Sequence, residues 1–230
     1  ILKPETLAVA KLGGINLHGS LLHKYRGAAP INWAIYYGDA ETGVTVIHLT
    51  PKIDAGPIIA LAKLPIGDDE TAVTIEPKLA QLGAPLVLQA IEQLANGTAV
   101  PAVQDTALAS KAPRLKKGDG AVDWSRTATQ IRNQVRAFAA WPKTFTYWHR
   151  PQGEPMRLIL DEVAVVESPE LGSPPQPGTV LEASGDSLTV ATGQNALQIL
   201  TLQPAGKRIF TAAEFLRGNP VKPGERFGTM

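Results

Sequence analysis

The sequence predicts two successive architectures: an α/β layer over residues 1–97 and a small, mainly β barrel after residue 118. Three observations lead to that reading. Helical and strand patterns alternate through residues 1–97, as in an α/β layer. Over 98–118 the chain turns polar, basic and aperiodic, the character of a connection between domains. Beyond Lys143 come short apolar runs divided by turn clusters such as Gly172-Ser173-Pro174-Pro175-Gln176-Pro177-Gly178. Several such runs after one helix suggest a barrel.

The elements follow in order. Pro4 to Leu12 reads as a short helix, with Pro4 where a first turn tolerates it and Gly13-Gly14 as its stop. Residues 14–18 form a short buried strand whose alternation sends Asn16 and His18 to one face. After a loop over 19–27, Pro30 opens a second helix that ends at Gly38. Thr42–Leu49 is β-branched and apolar, and Pro57–Ile66 is a second extended run. Gly67-Asp68-Asp69-Glu70-Thr71 supplies caps for a helical region closed by Asn96-Gly97, which Pro77 and Pro85 should kink or divide in two. Ser125 is placed to cap a helix with Ile131, Val135 and Phe138 inward and Arg132 and Arg136 outward. Strands are expected at Thr144–His149, Met156–Val166, Thr179–Glu182, Ser187–Ala191 and Ala196–Leu202, then a helix over Ala212–Arg217.

Composition excludes several classes. With 230 residues, 44% hydrophobic and 19% charged at a net charge of +1, the chain is an ordinary globular sequence. It has no Cys, so disulfides, thiol nucleophiles and Cys-held metals are ruled out, and no His/Asp/Glu cluster has metal-ligand spacing. No apolar run approaches the ~18–20 residues that cross a bilayer. A phosphate-cradling Gly-rich loop and a Ser-His-Asp hydrolase signature are also missing. Charge is uneven: nine basic residues face three acids between 105 and 150, enough to attract a polyanion, although a solvated surface has the same composition.

The chemistry concentrates near the N-terminus. Asn16 can donate an amide hydrogen bond to an oxygen that becomes negative as an amine attacks a carbonyl carbon. His18 beside it can donate as well or pass a proton. Asp54, 36 residues downstream in Ile53-Asp54-Ala55-Gly56, would favour an imidazolium and orient it if the fold brought the two together. Taken alone, an Asn-x-His at a strand end is more often a satisfied polar pair, and Asp54 before Ala55-Gly56 suits a turn. His48, on a strand, and His149, in a turn, are expected to be structural and surface residues.

The ordered series Asn16-x-His18, Ser20-Leu21-Leu22, Arg26-Gly27 and Asp54-x-Gly56 resembles the folate-dependent formyltransferases. Further on, Val122-Asp123-Trp124-Ser125, Arg136-Ala137-Phe138, Trp141-Pro142 and Leu200–Arg208 resemble the C-terminal domain of one branch, the methionyl-tRNA formyltransferases. The likeness runs from about Ile1 to Arg226, with the front half of the formyltransferase domain missing. It implies the C-terminal half of a Rossmann-like catalytic domain over 1–104, a basic linker over 105–118, and an OB-like β-barrel that binds tRNA over 119–230.

The implied activity is formyl transfer from 10-formyltetrahydrofolate to the amino group of initiator methionyl-tRNA. The catalytic set would be Asn16, His18 and Asp54. Ser20, Leu21, Leu22 and His23 would line the folate pocket, with His23 standing where the family usually has Pro. Arg114, Lys116, Lys117, Arg132 and Arg136 would meet tRNA phosphates. No metal is implied, and the expected state is a cytoplasmic monomer. Two alternatives stay open: a small amine acceptor (an amino sugar or purine precursor), or an inactive tRNA-binding fragment. The resemblance places further strands of that domain ahead of Ile1, and a chain without them would expose the edge they cover.

Overall fold

The structure is a computed structural model and describes residues 3–168 and 175–230. It divides into two compact units, 1–115 and 116–230. The Pro/Gly cluster at 172–178 lies partly outside the described residues.

In the first unit a single-turn helix α1 (Pro4–Leu7) precedes strand β1 (Ile15–His18) and a two-residue strand β2 (Arg26–Gly27). Helix α2 (Pro30–Tyr37) starts on Pro30 and stops where Gly38 turns left-handed at φ 77°, the conformation glycine supplies without steric cost. Strands β3 (Glu41–His48) and β4 (Ile58–Pro65) follow, then helix α3 (Ala72–Ala95) and strand β5 (Lys111–Ala112). Strands β1, β3 and β4 form an antiparallel sheet in the order β1-β3-β4. β2 and β5 pair in parallel.

Two expectations change here. The region with two prolines is not divided in two: it is one 24-residue helix with Pro77 and Pro85 inside it. Each proline removes one N–H from the ladder. The buried face of Ile75, Leu79, Gly83 and Ala90 nevertheless packs α3 along β3 and β4 as a single element. β1 is also less buried than its apolar residues suggested. It is the edge strand of its sheet, Leu17 is 37% exposed, and the interior of the sheet is Val44, Val46 and Ile47 of β3.

The second unit contains helix α4 (Ala128–Ala137), strands β6 (Thr144–His149), β7 (Met156–Val166), β8 (Val180–Ser184), β9 (Ser187–Ala191), β10 (Ala196–Pro204) and β11 (Phe210–Thr211), helix α5 (Ala212–Gly218) and strand β12 (Arg226–Gly228). The N-cap of α4 is Thr127, boxed with Gln130, whereas Ser125 turns back to the Asp123 carboxylate. Ser125 is two residues too early to reach the N3 amide. The sheet runs β12-β6-β7-β10-β9-β8, with β11 on β10. Its two ends are joined: Val180 N–H donates to Glu225 O at 2.9 Å and Phe227 N–H to Gly178 O at 2.8 Å. The sheet therefore closes on itself, which removes its free edges. Inside lies an apolar core that includes Ile131, Leu158, Leu197, Ile199, Phe215 and Phe227.

The segment 105–118 is no free tether. Lys111–Ala112 is bonded to β2, Ala112 is fully buried, and the division between units falls between Leu115 and Lys116. Among the described residues no helix is long and apolar enough to cross a membrane.

Candidate active site

The site begins with β1. Its register sets Asn16 opposite Ile47 and His18 opposite Thr45, so the two polar side chains share a face as the alternation requires. His18 is only 5% exposed, and a buried imidazole needs partners. It has two. Its Nε2 lies 2.9 Å from the carbonyl oxygen of Tyr25, to which it donates, and its Nδ1 lies 3.5 Å from Asp54 Oδ2. Both partners are acceptors, and 3.5 Å is an ion-pair distance for a protonated ring.

Asp54 reaches this position from the loop between β3 and β4. Its backbone is left-handed at φ 47°, a region non-glycine residues occupy uncommonly but Asp tolerates. The Gly27 N–H donates to the same Oδ2 at 2.9 Å, which leaves Oδ1 without a hydrogen bond among the described residues. Two glycines allow the close approaches. A Cβ on Gly56 would stand 1.7 Å from the His48 carbonyl oxygen, and one on Gly27 2.3 Å from that of Ala112.

Asn16 and Asp54 line one cavity of about 420 Å³, together with Leu7, Gly27, Ile47 and Lys52. The Asn16 side chain makes no hydrogen bond among the described residues, so its amide is available to whatever enters. His18 sits behind Asp54, held at both ring nitrogens. His48 lines the same cavity, although its strand position had suggested a purely structural role.

The loop expected to line a folate pocket lies elsewhere in this unit. Leu21, Leu22 and His23 line a second cavity of about 390 Å³, with Tyr25, Thr42 and Leu61. Ser20 is fully buried and lines neither cavity. Its hydroxyl donates to Lys24 O at 2.9 Å, and its carbonyl accepts from Thr45 Oγ1 at 2.6 Å. Near that loop, burial and the Asp39 carboxylate raise the Tyr25 phenol above its usual range.

The basic residues fall on both sides of the division. Arg114 is exposed in the first unit, and Lys116 and Lys117 are exposed in the second. Arg132 and Arg136 lie one turn apart on α4, both half-buried, and Arg136 donates to Asn133 Oδ1 at 2.7 Å. Among the described residues no group of three or more His, Cys, Asp or Glu side chains is arranged to hold a metal.

Reading the sequence missed Gln104. It is 5% exposed, and its amide nitrogen donates to the carbonyls of Asp54 at 2.9 Å and Gly56 at 2.7 Å. Its amide oxygen accepts two bonds from Arg26. Nothing in an aperiodic stretch 50 residues from Asp54 marks such a residue.

Comparison with known proteins decides the family. The family model described as "Formyl transferase" matches residues 1–91, and "Formyl transferase, C-terminal domain" matches 114–220. A methionyl-tRNA formyltransferase of Rhodopirellula baltica is 40% identical over 98% of the chain and 68% of its own length. The chain belongs to the methionyl-tRNA formyltransferase family. A second member, from Desulfotalea psychrophila, is 44% identical over 96% of the chain and 66% of its own length. The chain thus spans about two thirds of these relatives. Among solved structures, an N-formyltransferase from Helicobacter canadensis, in complex with folinic acid and dTDP-3-aminofucose, is similar at TM-score 0.61. It is 21% identical, over 83% of this chain and 65% of its own. That likeness concerns the fold.

Proposed function

We propose that the protein transfers a formyl group from 10-formyltetrahydrofolate to the free amino group of initiator methionyl-tRNA, with Asn16, His18 and Asp54 as its catalytic set. The observation that carries the reading is an Asn16 amide without a hydrogen bond among the described residues, on a residue lining the cavity that Asp54, 3.5 Å from His18, also lines. Family membership supplies the acceptor, since the relatives bear the name methionyl-tRNA formyltransferase.

The residues fit a small carbonyl group beside an amine. The folate co-substrate supplies the formyl carbon that the methionyl nitrogen attacks. As the resulting tetrahedral intermediate collapses, the bond from that carbon to folate N10 breaks, and tetrahydrofolate leaves with the proton that the methionyl nitrogen gave up, returned to N10 from Asp54 through a water. Asn16 donates to the carbonyl oxygen as it gains the electron pair, a contact that strengthens only as charge develops. Asp54 takes the proton released by the attacking nitrogen, through Oδ1 and a bridging water. His18, fixed between the Tyr25 carbonyl and Asp54, keeps that carboxylate aimed and balances its charge. Leu21, Leu22 and His23 are the side chains we assign to the folate, with Ser20 holding their loop. The closed sheet of the second unit is assigned as the OB-like barrel. Arg114, Lys116, Lys117, Arg132 and Arg136 are assigned as contacts to tRNA phosphates, which position the nucleic acid rather than read its bases.

The test is single-turnover formylation of initiator methionyl-tRNA by the protein carrying this sequence, with and without Asn16→Ala. The expected result is a rate lower by ~10²–10³ at unchanged tRNA binding. Equal rates would remove Asn16 from the chemistry.

A further inference from the structure

Within the stretch 98–118, which has the character of a connection between domains, residues 102–112 are bonded to both loops of the site. Ala102 and Ile58 exchange two backbone hydrogen bonds, at 2.8 and 2.7 Å, just beyond the Asp54 loop. Ser110 O accepts from Arg26 N–H at 2.9 Å, Ser110 Oγ accepts from Tyr25 N–H at 2.9 Å, and Ala112 O accepts from Ala28 N–H at 2.8 Å. Those bonds fix the loop that presents the Tyr25 carbonyl to His18 and the Gly27 N–H to Asp54.

Between these anchors Gln104 meets the Asp54 loop directly. The two carbonyls of Asp54 and Gly56 require a donor, and the Arg26 Nε and guanidinium NH2, at 3.1 and 2.7 Å, require an acceptor. Only a neutral amide satisfies both sides at once. Arg26 thereby fixes which end of the amide points at the carbonyls. Asp54 has a left-handed backbone that must be held by its surroundings, and the Gln104 amide is bonded to its carbonyl.

We propose that Gln104, oriented by Arg26, is a positioning residue that holds the Asp54 carboxylate against His18. Gln104 lines neither cavity itself and meets the site at the backbone of Asp54 and Gly56, so its effect on the reaction runs through Asp54. This deepens the function proposed above and rests on it for the kinetic part.

Two measurements on the protein carrying this sequence test it. The first does not depend on catalysis. In Gln104→Leu, and in the near-isosteric Gln104→Glu, the ¹⁵N resonances of the His18 imidazole shift in the folded protein because Asp54 has moved. Gln104→Glu keeps the volume and the contact with Arg26 and replaces the donor facing the two carbonyls, whereas Gln104→Leu removes both sides, and a ¹H–¹⁵N spectrum of each identifies the folded variant that is read. Unmoved His18 resonances in a folded variant overturn the proposal.

The second is a kinetic cycle. Gln104→Glu should lower kcat by about 10–100-fold, within the range a 1 Å misplacement produces, and leave KM for tRNA unchanged. Placed on Asp54→Asn, it should cost less than a further twofold, because the group it positions is already gone. A full additional loss on that background means Gln104 acts independently of Asp54 and sinks the proposal. If Asp54→Asn itself turns over normally while the His18 resonances still respond to Gln104, the positioning stands and the catalytic reading of Asp54 falls.

Discussion

The apolar interior of the second unit contrasts with the polar surroundings of the candidate site in the first. The second unit has an apolar interior of Ile131, Leu158, Leu197, Ile199, Phe215 and Phe227 inside a sheet that closes on itself. In the first unit buried polar side chains tie distant segments together: His18 to Tyr25 and Asp54, Thr45 to Ser20 and Leu22, Gln104 to Arg26, Asp54 and Gly56. Apolar packing is tolerant of detail and fixes a scaffold. Buried polar networks demand complete satisfaction and fix atoms in place. Aiming a carboxylate at an imidazole needs the second kind of order, which is what surrounds the groups we propose as catalytic.

That contrast can be broken experimentally. The largest expected effect is on chemistry in the first unit: His18→Ala should reduce formyl transfer by two or more orders of magnitude while tRNA affinity stays within about twofold. Equal losses in both would mean that the variant damages the fold instead. Next comes packing in the second unit. Leu197 is fully buried in the closed sheet, and Leu197→Ala should cost ~2–5 kcal/mol of stability by denaturant titration, with the His18 resonances unmoved. Smaller still is Thr45→Val in the first unit. The Thr45 hydroxyl accepts from Leu22 N–H and donates to Ser20 O, and leaving those groups unpaired costs ~1–3 kcal/mol. It should also disturb the 20–23 loop, seen as weaker folate binding.

The basic residues sharpen the comparison from the side of binding. Neutralising Arg132 and Arg136 together should make the salt dependence of tRNA affinity shallower by ~0.7–0.9 per lost contact and leave folate affinity unchanged. A variant with the wild-type slope would show these groups to be ordinary surface.

The smallest effect is a pH dependence confined to the start of α5. Arg208 donates to Glu214, which with Thr211 caps that helix. The Arg208 hydrogen bond, followed by the Thr211 backbone N–H, lowers the Glu214 carboxyl to about 2. A depressed carboxyl stabilises the fold above its unfolded pKa of about 4.3 and loses that contribution as pH falls toward 2. Melting curves of Glu214→Gln should therefore converge with wild type as the pH drops through that window and separate slightly above it.

What was legible in the sequence follows the same division. Strands Thr144–His149, Met156–Val166 and Ser187–Ala191 stand where alternation and turn residues place them, because pairing between neighbours in sequence leaves a local signal. In the first unit the shared face of Asn16 and His18 was legible from strand period alone, and Asp54 beside them from the ordered motif series. Gln104 was not, because its partners are 48 to 78 residues away and its surroundings carry no period. The short strand Lys111–Ala112 was hidden for the same reason, and the exposure of Leu17 because pattern cannot tell an edge strand from a central one.

The most direct test of the His18–Asp54 pairing is the single-turnover rate of Asp54→Asn against pH, with initiator methionyl-tRNA and 10-formyltetrahydrofolate both saturating. This substitution keeps the size of the side chain and removes its charge. The pairing predicts a rate lower by orders of magnitude at every pH and a profile of different shape, with folding stability little changed. A profile that overlays the wild type would contradict it.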